Sequence, residues 1–383
     1  MEELLKNIIP GLEQIRKEIH QNPELSQKEY NTHHRIINYL TKHGKGTVSS
    51  IADTGVIVTF ESDVEGKSIL LRADIDALPI IESNDFDHKS NVHGVSHKCG
   101  HDGHTAIMLG VARLLSVYPI KKGKVVLLFQ PAEENGMGAE AVLKDFLFQK
   151  LRFDFVFALH NIPGVKRNQI ILKENSFNAN VKSMIIKLHG KTAHAAEPEK
   201  GHNPALAIAD ILYYSETVTN NNPEQDNFFL ITPVHINMGE IAYGISAGDG
   251  ELHLTIRSWD LALFDEKCSE LIRFIRHTCE NYKLQEDISW TQVFYANKNN
   301  KKAVDFVRKA AIKKKMEVLE MRDSFKWGED FGLFTQKYKG AMFGLGAGEN
   351  TPALHNPDYD FPDDIITTGI QLFFQIIQEI VTE

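Results

Sequence analysis

The strongest constraint on the fold is an alternation. Short apolar runs at 56–60, 68–71, 125–129 and 155–159, rich in β-branched residues, are separated by stretches of helical periodicity. Residues 2–21 place Leu4, Leu5, Ile8, Ile9, Leu12, Ile15 and Ile19 at helical spacing, interrupted by Pro10, and helices are predicted over 27–42 and 105–115. Strands this uniformly apolar are buried on both faces, so the segment reads as an α/β domain with helices flanking a sheet.

Near residue 180 the pattern changes. A strand at 181–188, a helix at 204–217, strands at 228–235 and 251–256 and a helix at 264–282 make a small α+β unit. Beyond it the α/β pattern returns, with a helix at 302–315, a strand at 341–345 and a closing helix at 363–381. The expected organisation is a discontinuous α/β domain over 1–179 and 288–383, interrupted by a smaller α+β domain over 180–287.

Composition narrows the function. A net charge of −9 argues against generic nucleic-acid binding. The three cysteines, Cys99, Cys268 and Cys279, are too few and scattered for a disulfide framework and suit a reducing compartment. Acids stand near the start where a secretory signal carries positive charge, and no run is expected to approach the ~20 apolar residues of a membrane span. The expectation is a soluble, cytoplasmic protein with neither nucleic acid nor membrane as partner.

The 17 histidines are not scattered evenly. Five segments at or after strand ends collect possible metal ligands: Arg72–Pro79, Cys99–His104, Gln130–Glu134, Leu159–Asn161 and Leu354–Pro357. In α/β sheets, ligand sites lie beyond the carboxyl ends of the strands, so these loops can converge. Cys99 and His101, in C-x-H spacing within an irregular loop, can point the same way and suit Zn²⁺ or a similar metal. Asp102 and His104 can each bind metal or cap the helix that begins there. Glu133 and Glu134 repel unless a cation sits between them or one is protonated, which suggests one ligand and one general base. His160 and His355 taken singly are ordinary core histidines. The coincidence of several such loops changes the odds: Cys99, His101, Glu134, His160 and His355 suffice for two metals.

These segments resemble the M20 family of metallopeptidases and amidohydrolases. Within it they are similar to the branch of N-acyl-amino-acid amidohydrolases, hippurate hydrolases and indoleacetyl-amino-acid hydrolases. The likeness runs nearly end to end, through Ile19–Leu25, Ala73–Pro79, His97–Thr105, Phe129–Glu134, Ala158–Asn161, His194–Pro198, Gly201–Pro204 and Leu354–Phe361. It implies a catalytic domain holding two divalent ions (Zn, Mn, Co or Ni) interrupted by a lid that also dimerises, in a homodimer or tetramer. It implies Cys99, His101, Glu134, His160 and His355 as metal ligands, Glu133 as catalytic base and Asp76 as the acid orienting a ligand. His194 would polarise the scissile carbonyl, in the partner's site, and Asn203 and Arg257 would meet the substrate carboxylate. Two departures bear on substrate recognition: Leu254-Thr precedes Ile256-Arg257 where relatives have Gly-Thr, and Gly328 stands where Ser is usual before Glu329-Asp330-Phe331.

The expected reaction is hydrolysis of the amide of an N-acyl amino acid, an N-acetyl, benzoyl or similar compound, by metal-activated water. The alternatives are a dipeptidase or carboxypeptidase of the same family, a thiol hydrolase using Cys99 with His101 or His104, and a non-catalytic metal-binding protein.

Overall fold

The structure, a computed structural model, describes residues 1–223 and 225–383. In chain order the main elements are α1 (Glu2–Gln21), α2 (Tyr30–His43), β1 (Thr47–Ile51), β2 (Gly55–Glu61), β3 (Ser68–Asp74), α3 (His101–Val117), β4 (Lys124–Gln130), α4 (Gly138–Lys144), β5 (Phe155–Pro163) and β6 (Ile170–Leu172). They continue with β7 (Asn180–His189), α5 (Ala205–Val218), β8 (Phe229–Met238), β9 (Asp249–Ser258), α6 (Leu261–Tyr282), β10 (Gln285–Phe294), α7 (Lys301–Lys313), β11 (Val318–Glu320), β12 (Gly340–Gly348) and α8 (Ile366–Thr382).

The chain forms two compact units. The larger comprises Met1–Phe177, Asn297–Arg322 and Glu329–Glu383, and the smaller Asn178–Ala296 and Asp323–Gly328. The smaller unit therefore extends past residue 287, because β10 pairs with β7 and completes its sheet.

The larger unit is α/β. Its sheet runs β1-β2-β4-β3-β5-β12-β6-β11. At its centre β4, β3, β5 and β12 are mutually parallel, with Asp74 opposite Gln130 and His160 opposite Gly344. Antiparallel pairing at β1–β2, β2–β4 and β12–β6 makes the whole sheet mixed. The central strands are buried along almost their full length, as their uniformly apolar runs require.

Helix α3 is apolar on nearly every side and is buried throughout its middle, where Ala106, Ile107, Met108, Leu109 and Val111 join the core. Helix α1 presents Leu5, Ile8, Leu12, Ile15 and Ile19 to that core. Pro10 does not end α1, since it lies on the exposed side, where water can serve the carbonyl it leaves unpaired.

The closing segment departs from expectation. Asp363–Thr382 is long and apolar enough to cross a membrane by length and composition, with a mean hydropathy of 1.3. It instead packs as a core helix, with Ile366, Ile370, Phe373, Ile376, Ile377 and Ile380 buried against the α/β layer. The smaller unit is a four-stranded antiparallel sheet, ordered β8-β9-β7-β10, whose apolar face is covered by α5 and α6.

Gly110 lets α3 approach its neighbours: a Cβ there would lie 2.2 Å from Ile370 Cδ1 and 3.0 Å from Leu12 Cδ1. Gly110→Ala overpacks this junction and is expected to lower stability by about 1–3 kcal/mol. The measurement is the denaturant midpoint at constant slope, and an unshifted midpoint would show that the helices have room to part.

Candidate metal centre

Strands β3, β4 and β5 lie side by side and end together, and the segments leaving them carry most of the residues in question. Asp74 ends β3 and Asp76 follows two residues later. The loop after β4 carries Glu133 and Glu134, and His160 lies near the end of β5. His355, beyond β12, takes a left-handed φ of 66°.

Cys99 and His101 are not both in irregular structure as the spacing suggested. Gly100 takes φ 90° and α3 starts at His101, so only Cys99 stays in the loop. A Cβ at Gly100 would sit 2.7 Å from Asn161 Oδ1, so this turn requires glycine twice over.

The side chains converge. Cys99 Sγ is 3.5 Å from His160 Nε2. His101 Nε2 lies 3.7 Å from Glu134 Oε1, and His355 Nε2 lies 3.7 Å from Glu134 Oε2. The ligand atoms of Cys99, His101 and His160 lie within 4.8 Å of one another, as do those of Cys99, Glu134 and His355, so Cys99 belongs to both groups.

Two observations test whether a cation fits. His101 Nε2 and Glu134 Oε1 are buried and face each other, yet neither has a hydrogen-bond partner. Buried polar atoms left so are costly, and a divalent cation taking both as ligands removes the deficit. The donor set of thiolate, imidazole and carboxylate is that of Zn²⁺ and similar ions. The residues fit such a group.

The profile of Peptidase family M20/M25/M40 matches residues 70–379. The chain belongs to this family. It is 31% identical over 383 residues to a hippurate hydrolase of Campylobacter jejuni subsp. jejuni, covering 97% of this chain and 98% of the relative. It is 30% identical over 364 residues to an N-acetyl-L-cysteine deacetylase of Bacillus subtilis, covering 94% and 86%. A crystal structure of a dinuclear metal binding M20 peptidase from Bacillus subtilis superposes with a TM-score of 0.84 at 25% identity, covering 98% of this chain and 99% of that one.

The electrostatics of this M20 site follow from crowding acids in a dry place. Burial first, then Glu329, Glu134 and Asp330, pushes the Glu133 carboxyl well above its usual pKa. Burial likewise raises Glu134, to about 8, with His101 opposing and Asp76 and Asp74 adding. Burial would lower His101, but Asp74, Asp76 and Glu134 outweigh it and hold it up to about 10. Burial, then His104, drives His160 well down, so its ring is neutral and has a lone pair to give. Burial, then Glu134, Glu133 and Asp74, raises the Cys99 thiol well above its usual value. Burial and these acids disfavour the thiolate that a cysteine nucleophile needs.

Asp76 sits between two of these segments. His101 Nδ1 donates to the Asp76 carbonyl at 3.0 Å and lies 3.3 Å from its Oδ1, while Asp76 Oδ2 accepts the Glu134 N–H at 3.0 Å. Asp102 caps nothing; it is buried between Arg16 at 3.3 Å and His20 at 2.9 Å. His104 is held between Asp74 Oδ1 and Asn161 Oδ1, each at 2.5 Å.

Sequence reasoning named the segments that hold Arg72, Asp74, Glu329 and Asp330 but missed that these four pair with one another. Arg72 Nη1 donates to Asp74 at 2.7 Å, and its Nη2 donates to Glu329 at 2.9 Å and Asp330 at 2.8 Å, all fully enclosed. A signal was present: strand periodicity puts Arg72, Asp74 and Asp76 on one face of a run otherwise apolar, and charges there must be paired.

His194, Asn203 and Arg257 belong to the smaller unit. His194 is exposed on a two-stranded ribbon, paired with Ile245, and its Nδ1 accepts the Ala196 N–H at 3.1 Å. Asn203 Nδ2 donates to Ser246 Oγ at 3.0 Å and its Oδ1 accepts the Ala205 N–H at 2.9 Å, at the start of α5. Arg257, on β9, donates from Nη1 to the Lys326 carbonyl at 2.7 Å.

A divalent cation needs deprotonated donors, whereas His101 and Glu134 titrate in the free site at about 10 and about 8. Both therefore hold protons below those values, and binding near neutrality must expel them. Apparent Zn²⁺ affinity of the apoprotein is expected to rise from pH 6 to pH 8, with proton release visible by calorimetry in buffers of different ionisation enthalpy. A pH-independent affinity without proton release would exclude His101 and Glu134 as ligands.

Proposed function

We propose that this chain hydrolyses the amide bond of N-acyl amino acids, releasing a carboxylic acid and a free amino acid. Two divalent cations would be held by Cys99, His101, Glu134, His160 and His355, with Zn, Mn, Co or Ni as the candidates. When bound, they would supply Lewis-acid polarisation of the acyl group and a lowered water pKa.

The observation that carries this reading is the contrast between two adjacent carboxyls. Glu134 faces His101 and His355, as a ligand would. Glu133 is also buried, but its strongest charged influences are Glu329, Glu134 and Asp330, which favour its protonated form. Bound cations would oppose that shift, and the ionised carboxylate, still more basic than an exposed one, could take a proton from attacking water and return it to the departing nitrogen. A non-catalytic metal-binding protein leaves such a group without a use.

The other residues follow. Asp76 orients His101 through Nδ1 and leaves Nε2 for the cation. His194 accepts the Ala196 N–H at Nδ1, so its neutral ring carries hydrogen on Nε2, where it can donate to a developing oxyanion. Arg257 suits the substrate carboxylate because guanidinium and carboxylate match bidentately, and Asn203 is assigned to the same carboxylate. The hippurate hydrolase and N-acetyl-L-cysteine deacetylase among its relatives support an N-acyl substrate. The family's peptidases support the second reading, cleavage of a dipeptide or a C-terminal residue, on the same machinery.

A homodimer through the smaller unit is part of this reading. Strand β8 is a sheet edge bearing exposed Val234, Ile236 and Met238, and Ile241 and Tyr243 are 93% and 95% exposed. An edge strand with this much exposed apolar surface favours self-association. His194 is carried on the neighbouring ribbon with Ile245, which supports its acting in the partner's site. Three free cysteines support a reducing, cytoplasmic setting.

Glu133→Gln is expected to retain both cations and lose turnover of N-acetyl and N-benzoyl amino acids by roughly 10²–10⁴-fold. Substantial activity in the fully loaded variant would sink the base assignment. Mixing Glu133→Gln with His194→Ala under conditions of proven subunit exchange is expected to restore activity in mixed dimers. No recovery would show that each chain is self-sufficient.

A further inference from the structure

The segment Gly328–Phe331 stood in the sequence beside substrate recognition, but its two acids are bound up in contacts with Arg72 and Gln130. Glu329 and Asp330 are 1% and 0% exposed. What they touch gives them a different task.

Asp330 Oδ1 accepts from Arg72 Nη2 at 2.8 Å and from Gln130 Nε2 at 2.9 Å. Its Oδ2 accepts from Gln130 Nε2 at 2.8 Å and from the Ala139 N–H at 2.8 Å. Gln130 is the last residue of β4, and Ala139 lies in the first turn of α4. Between them runs the loop 131–138, with both glutamates. One carboxylate therefore ties together the two ends of the loop that bears the base. Glu329 accepts from the same Arg72 at 2.9 Å and from the Phe331 N–H at 3.0 Å, which fixes Asp330 from its own side.

The loop is closed tightly enough to need such a tie. The Gly138 N–H donates to the Ala132 carbonyl at 2.9 Å and the Gly136 N–H to the Glu133 carbonyl at 2.8 Å. A Cβ on Gly138 would lie 1.7 Å from the Pro131 carbonyl oxygen, and Ala132 is held at φ 52°. Two further carboxylates fasten its middle: Glu29 accepts the Ala132 N–H at 2.8 Å, and Asp76 accepts the Glu134 N–H. Asp330 alone of the three joins the loop's two ends.

The geometry points to Asp330 as a positioning residue for the general base: it holds loop 131–138 closed and so fixes where the Glu133 carboxylate is presented. The inference rests on Glu133 being that base. All of Asp330's contacts named above are donors, so an amide in its place sets donor against donor at Gln130 or Ala139 and opens the loop. A misplaced catalytic group lowers the rate of the chemical step more than it lowers substrate binding.

The test uses the metal-loaded full chain carrying Asp330→Asn. Expected are a fall in kcat of about 10–100-fold per folded molecule, with KM within about threefold. Zn²⁺ affinity of the apoprotein should stay near that of the parent, while amide hydrogen exchange speeds up across 131–139 and not in α3. Parental kcat per folded molecule, or unchanged exchange across 131–139, would overturn the inference. So would losses of Zn²⁺ binding and activity that simply track the folded fraction. If Asp330→Asn does not fold, Gln130→Met removes one donor to the tie, together with the acceptor of Arg72 Nε, while leaving Asp330 its Arg72 and Ala139 donors, and the same two readouts decide. Glu133→Gln run alongside separates the two readings: if it keeps turnover, the base assignment fails, whereas the exchange data report on the tie independently.

Discussion

Carboxylates crowded into the dry ends of parallel strands repel one another, and each must be answered by something positive or by a proton. Arg72 answers three of them at once, Asp74, Glu329 and Asp330, from the middle of β3. A buried charge that loses its partner costs about 3–5 kcal/mol, so this guanidinium anchors the floor of the site as well as its acids. Glu134 and the Cys99 thiol lie beyond its contacts, and their raised proton affinities express that shortage. The same shortage that disfavours the free site would favour a divalent cation there, so that folding energy and metal affinity would draw on one arrangement.

A second buried network holds the centre from behind. Arg16 and His20 of α1 engage Asp102 in the first turn of α3, while Lys98 and His20 share Glu82. Burial opposes a charge on His20, but Asp102 and Glu82 outweigh it and hold its pKa up to about 9. The turn that presents Cys99 and His101 is thus braced by a helix some eighty residues earlier in the chain (Asp102 and His20 are separated by 82 positions). Gly100 completes the turn, since only a residue without Cβ fits beside Asn161.

Much of this was legible in the sequence. Uniformly apolar runs separated by helical patterns predict a buried sheet, and strand-end clusters of Cys, His and Glu predict where a cation would be held. Cys99, His101, Glu134, His160 and His355 do gather within reach of one another. The failures have physical reasons. The 363–382 segment has the hydropathy of a membrane span, but hydropathy cannot tell lipid from a protein core. The smaller unit's end shifts from 287 to 296 because β10 belongs to its sheet, and pairing between distant strands leaves no local mark. Asp102 and His104 do not cap α3, one of the two roles open to them, since their partners lie on α1, β3 and β5.

By itself, the sequence determined the classes of element, the interruption of one domain by another and the residue types available for chemistry. Periodicity and donor chemistry are local properties, and local properties survive in a linear string. Only the tertiary structure shows the different surroundings of the acids. Glu133 and Glu134 are chemically identical neighbours, and what separates them is that one faces His101 and His355 while the other lies toward Glu329 and Asp330. Such differences arise from charges brought together across nearly two hundred residues, because electrostatic energy depends on distance in space and not on distance along the chain.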